Sequence, residues 1–197
     1  MKQVLIETQL FKPSKGLLSE GKMSERGNPL VQGILATCEV ENGNGRYYSE
    51  DLWKREIDKY MELVRDNRAT GELDHPESQV INLKNVSHNI KDMYWDGDNV
   101  MGKIEILPTP SGNILKALID SGITVGVSSR GMGSLEQKGE LMEVQDDFEL
   151  LCWDFVSTPS NPGSFMTLKE GKENNINQYA KANSIVTEIL CANGNCP

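Results

Sequence analysis

The chain is short of positive charge, of imidazole, of closely spaced thiols and of long apolar runs, and each shortage closes a class of function. Its 20 Lys and Arg stand against 29 Asp and Glu, a formal charge of −9 over 197 residues. A broad grip on phosphates needs clustered cations, so nucleic-acid binding is set aside. No stretch approaches the ~18 consecutive apolar residues of a membrane helix. Val4, Leu5 and Ile6 are followed at once by Glu7, far short of the roughly 7–15 apolar residues in a signal-peptide core. A soluble product that stays where it is made, away from membranes, is the expectation. Cys38, Cys152, Cys191 and Cys196 form no C-x-x-C pair. The first two sit in apolar, strand-like runs and read as buried reduced thiols, and a disulfide or zinc role for Cys191 and Cys196 is the minor reading.

An apolar fraction of 38% over this length supports one sizeable core and not two. From Ser49, a plausible N-cap, Leu52, Trp53, Ile57, Tyr60, Met61 and Val64 recur at helical spacing opposite a charged face. This predicts the clearest helix of the chain. Residues 2–10 and 31–40 read as strands, 68–79 as a polar stretch, and 84–95 with 99–107 as a hairpin around Asp96-Gly97-Asp98. A short helix follows through Leu115 to Ile119, then strands at 123–129, 140–145 and 148–156, with 131–139 as a loop. Residues 1–167 read as one domain, and 168–197, rich in Asn, Lys and Glu, as a loosely attached tail. Many strands with two or three helices fit an α+β fold, a sheet or small barrel covered by helices.

Most motifs dissolve on inspection. Asp96 and Asp98 begin like a calcium loop, but Val100 and Met101 stand where a ligand and the turn glycine belong. Gly126 and Gly131 have phosphate-loop spacing, but Met132-Gly133 replaces the needed Lys-Ser/Thr. Only His75 and His88 offer an imidazole base. His88 shares a strand face with Val86 and Ile90 and reads as a core histidine, whereas His75 lies in the polar segment Gly71-Glu72-Leu73-Asp74-His75-Pro76. A nucleophile should be a hydroxyl at the end of an element near free backbone N–H groups. Val127-Ser128-Ser129-Arg130-Gly131 has that form, with glycines expected to admit a substrate, and it departs from the G-x-S-x-G elbow at Arg130. Asp154, alone among Leu150, Leu151, Trp153 and Phe155, either points to solvent or meets a donor.

Three segments taken together carry a resemblance. Gly71-Glu72-Leu73-Asp74-His75-Pro76, Asp92-Met93-Tyr94-Trp95-Asp96-Gly97 and Gly126-Val127-Ser128-Ser129-Arg130-Gly131-Met132-Gly133 are similar, in order and spacing, to the prohead core protein proteases of large contractile-tailed bacteriophages. Leu5-Ile6-Glu7-Thr8 and Asn44-Gly45-Arg46-Tyr47-Tyr48 extend the likeness over most of residues 3–168. It implies a herpesvirus assemblin-like fold, a mainly antiparallel β-barrel core with a few helices, and a Ser-His peptidase that needs no metal or cofactor. Carried over, the general base is His75 and the nucleophile Ser128, with Ser129 its rival; only one of the two serines can face His75. In the assemblins the third member lies on the next strand, where this chain has Asp154 in place of a histidine. Ser129, Arg130 and Gly131 would support the oxyanion.

The resemblance further implies cleavage after Glu at aliphatic-x-Glu sites in scaffold or core proteins and the major capsid protein, inside a prohead assembled in the host cytoplasm. A homo-oligomer is compatible with this. Self-processing is expected at Glu20 or Glu170, whereas Leu141-Met142-Glu143 is expected to be shielded in a strand. The competing reading is a non-catalytic prohead scaffold component sharing the fold.

Overall fold

A computed structural model describes residues 2–9, 23–76 and 78–157. Glu20, Glu170, Cys191, Cys196 and the 168–197 tail lie outside the described residues. In chain order the elements are β1 (Gln3–Gln9), β2 (Leu30–Thr37), β3 (Arg46–Tyr47), α1 (Glu50–Arg65), β4 (Thr70–Glu72) and β5 (Val86–Asp96). Then come β6 (Asn99–Ile106), α2 (Pro110–Asp120), β7 (Gly126–Gly133), β8 (Leu135–Lys138), β9 (Leu141–Val144) and β10 (Glu149–Val156).

The strands form three sheets, ordered β1-β7-β10, β2-β6-β5-β4 and β3-β9-β8, antiparallel except for β3 with β9. The expected α+β class with mainly antiparallel strands holds; the closed barrel does not. The first two sheets approach through one bridge, Leu73 to Phe155, and no ladder joins β1 to β2 among the described residues. The reason is local. β4 is three residues long, and at Asp74 the backbone swings to a φ of 71°, so the pairing with β10 stops at a single bridge.

Helix α1 forms as its periodicity predicts. Ser49 Oγ accepts the Leu52 N–H, Glu50 and Asp51 occupy the positive N-terminal turn, and Leu52, Trp53, Ile57 and Tyr60 are buried. Trp53 stacks on Trp153 of β10 at 5.6 Å, and Phe148 meets Trp53 edge-on. Glu56, on the same buried face, was not legible as a core residue. Its carboxylate accepts Arg55 Nε, Lys59 Nζ and the Leu150 N–H at 2.9, 2.8 and 2.9 Å, so it joins the helix to β10.

The 84–107 hairpin appears as read, turning at Gly97, whose φ is +58°. Residues 131–139, expected as a loop, instead hold the end of β7, the Ser134 link and the whole of β8, with Gly139 in the turn that follows. Gly131 is glycine because a Cβ there would lie 2.4 Å from the Phe148 ring, which replaces the expectation that it admits a substrate. The polar stretch 68–79 also hides β4, and two aliphatic-x-Glu sequences are locked in strands: Leu5 to Glu7 in β1 and Leu141 to Glu143 in β9. The Glu7 carboxylate is held on the core side by Tyr48, Arg46, Asn42 and Asn44.

His88 is the core histidine the pattern implies, with no exposed surface. Its Nε2–H donates to the Trp153 carbonyl at 3.0 Å, and its Nδ1 accepts from the Ser87 hydroxyl at 2.8 Å, a pair of bonds that only a neutral ring makes. Gly71 lies against both groups: a Cβ would fall 1.9 Å from the Trp153 oxygen and 2.5 Å from the imidazole. Gly71→Ala is therefore expected to lower unfolding stability by about 3 kcal/mol, read from the shift of a urea midpoint. Burial pushes the His88 imidazole down to about 4, whereas the unfolded chain takes up that proton near 6.5. Stability thus falls as pH drops from about 6.5 to about 4, by about 3 kcal/mol from this ring, and levels off below. Urea unfolding across that range should show the loss, and His88→Gln should flatten it.

Candidate active site

Ser128 lies in β7, the central strand of its sheet, with no exposed surface. Its cross-strand partner on β10 is Asp154. That pairing exists because β10 carries a bulge between Leu150 and Cys152, which advances the register by one residue. An unbroken ladder from Leu150 opposite Gly131 would set Trp153 opposite Ser128 and turn Asp154 to the other face. With the bulge, Ser128, Arg130, Cys152 and Asp154 share one face, and Ser129 and Trp153 share the opposite one.

His75 reaches this face from the turn after β4. Asp74 N–H donates to the Phe155 carbonyl at 2.7 Å, docking the turn on β10, and Asp74 Oδ1 accepts the His75 N–H at 2.9 Å. The imidazole then spans the two strands: Nε2 meets Ser128 Oγ, and Nδ1 lies 3.0 Å from Asp154 Oδ2. The ring is 13% exposed, leaving one edge toward solvent.

Asp154 is fully buried, with hydrogen bonds at Oδ1 and charged contacts at Oδ2. Oδ1 accepts the Glu72 N–H at 2.9 Å and Arg130 Nη2 at 3.3 Å, and Arg130 Nε lies 3.0 Å from Oδ2. Burial by itself would push this carboxyl up, but the His75 hydrogen bond, the Glu72 N–H and the Arg130 charge outweigh it and hold the group below its usual value. It is an anion. The Cys152 thiol, buried beside it, is pushed far up and stays protonated. Cys152 is thus the buried thiol expected from its run; Arg130 Nε and Nη2 donate to its sulfur at 3.2 and 3.1 Å.

Arg130 is 1% exposed and also pairs with Glu72 Oε1 at 3.0 Å, while Nη1 donates to the Ser78 carbonyl at 2.6 Å. Glu72 is wholly buried and also accepts the Asn82 N–H at 3.0 Å. The loop following His75 is in this way tied at two points to buried charge. Nothing in the sequence pattern singled out Glu72; the usable signal was a carboxylate in a β-type triplet just before a histidine.

The three expected site residues His75, Ser128 and Asp154 come together, drawn from a turn and two strands. Ser129 does not join them; it lines a small cleft on the core side with Glu7, Tyr48 and Trp53. Ser129, Arg130 and Gly131, expected to support an oxyanion, all lie within β7. Their N–H groups belong to a strand paired on both edges, the Arg130 guanidinium faces Asp154 and Glu72, and Gly131 sits under Phe148.

The chain is similar to known proteins over most of its length. The profile of the family described as prohead core protein serine protease matches residues 8–176. The prohead core protein protease of Enterobacteria phage T4 is 34% identical over 167 residues, covering 82% of this chain and 77% of that protein. The solved structure of the bacteriophage T4 capsid assembly protease superimposes with a TM-score of 0.73 at 29% identity, covering 80% of this chain and 99% of that one. A serine, an imidazole and a buried carboxylate meet in a fold shared with a phage assembly protease, and the chain belongs to the prohead core protein serine protease family.

Proposed function

We propose that the protein is an endopeptidase of the prohead in which Ser128 is the nucleophile, His75 its base and Asp154 the group that orients the imidazole. The single observation behind this reading is the continuous contact from Ser128 Oγ through His75 to Asp154. A proton on Nδ1, 3.0 Å from Asp154 Oδ2, leaves Nε2 as the acceptor facing the hydroxyl, the tautomer a base requires. His75 takes the Ser128 proton as Oγ attacks the peptide carbonyl, then delivers it to the leaving amine. Water, deprotonated by the same ring, releases the acyl-enzyme.

The substrates proposed are scaffold or core proteins and the major capsid protein, cut after Glu in aliphatic-x-Glu sequences within the prohead, in the host cytoplasm. Family membership supports the capsid context, and the phage T4 relative is itself called a capsid assembly protease. Self-processing is proposed at Glu20, within the single 1–167 domain, or at Glu170, where it would release residues 171–197.

Ser128→Ala should reduce turnover of a Leu-x-Glu peptide by on the order of 10³-fold or more, whereas Ser129→Ala, on the opposite face, should leave turnover near wild type. The reverse pattern would move the nucleophile to Ser129. Mass spectrometry of the wild-type chain after incubation should show loss of the segment beyond Glu170, and the Ser128→Ala chain should stay intact.

A further inference from the structure

Two carboxylates and one guanidinium are sealed behind the imidazole. Asp154, Glu72 and Arg130 are at most 1% exposed, and their charges leave one negative charge over. The neighbours do not cancel it. On β10 the Cys152 thiol is protonated, on β5 His88 is neutral, on α1 the buried Tyr60 phenol is pushed well up and neutral, and Asp74 on the turn is exposed. A surplus charge in so dry a place is costly until a cation meets it. Among the described residues, the one group positioned to become that cation is His75, 3.0 Å from Asp154.

We propose that Glu72 is a positioning residue for catalysis: by occupying Arg130 it keeps Asp154 from being neutralised, so that the site's net charge is balanced when His75 takes up a proton. This rests on the reading of Ser128 and His75 given above. Without Glu72, the guanidinium would answer Asp154 alone and the cluster would already be neutral, so an imidazolium would gain less from it. The same carboxylate steadies the base mechanically. It accepts the Asn82 N–H while Arg130 holds the Ser78 carbonyl, pinning the loop that continues from His75. The Glu72 N–H, meanwhile, fixes Asp154 Oδ1. Charge and geometry are thus set by one side chain that never touches the substrate.

The test uses the full chain and diisopropyl fluorophosphate, a serine-directed reagent whose reaction does not depend on peptide specificity, with its rate of modification of Ser128 followed against pH. Glu72→Gln keeps the size and one acceptor oxygen and removes the charge. The acid limb of the profile should move down by about one pH unit and the plateau rate fall about tenfold. For a Leu-x-Glu peptide, kcat should fall with KM little changed. Glu72→Gln combined with Arg130→Gln restores a single negative charge and should return the limb to its wild-type position, a rescue that a purely structural role for Glu72 would not produce. The double variant leaves no guanidinium without a partner, so it answers the question even where the single variant fails to fold. A wild type not labelled at Ser128 would overturn the serine reading together with this one. A labelled wild type whose limb stays fixed in Glu72→Gln, or a folded double variant whose limb is displaced, would overturn the role of Glu72 alone.

Discussion

The bulge between Leu150 and Cys152 decides which face of β10 every later residue occupies, and through it the meeting of Asp154 with Ser128. Strand periodicity is two, so one inserted residue reverses the sense of all that follow. The surrounding structure holds the bulge in place. Glu56 of α1 accepts the Leu150 N–H, and Trp53 stacks on Trp153 just beyond it. The helix therefore packs the core and, by the same contacts, sets the register of the strand that carries the acid.

On the other side, β4 approaches β10 closely because Gly71 has no side chain, and His88 bonds the Trp153 carbonyl across that gap. The turn that follows carries His75 over the sheet and is docked by the Asp74 N–H on Phe155. The two histidines of the chain thus meet β10 at adjacent residues, Trp153 and Asp154. His88, dry and neutral, joins the sheets; His75, partly open to solvent, keeps an edge free for exchange of protons. Their separate fates follow from burial and partners, since both begin as the same imidazole.

Arg130 stands two residues after Ser128 and reads from sequence as a helper for an oxyanion. In the fold its parity puts it on the Ser128 face but two pairs further along the ladder, against Cys152 and between two buried acids. Its guanidinium fork suits that place, with Nε, Nη1 and Nη2 each directed at a different acceptor. A lysine could not span them.

Helix α1, the hairpin at Gly97, the core character of His88 and the convergence of His75, Ser128 and Asp154 were open to reading along the chain, because each rests on local periodicity, turn chemistry or a resemblance carried by short segments. Strand β4, the run of β7 and β8 through Gly131 and Gly133, the burial of Glu56 and Glu72 and the open arrangement of the three sheets were not. Local patterns treat a glycine as a breaker and a carboxylate as surface. A neighbouring Phe148 ring, or the Leu150 N–H and the Arg130 guanidinium, reverses both readings, and such partners lie far away in the chain. The residue types needed for the chemistry were written in the one-dimensional order; which of two adjacent serines faces the imidazole, and whether the acid faces it at all, followed from strand register, a property of paired chains and not of either strand alone.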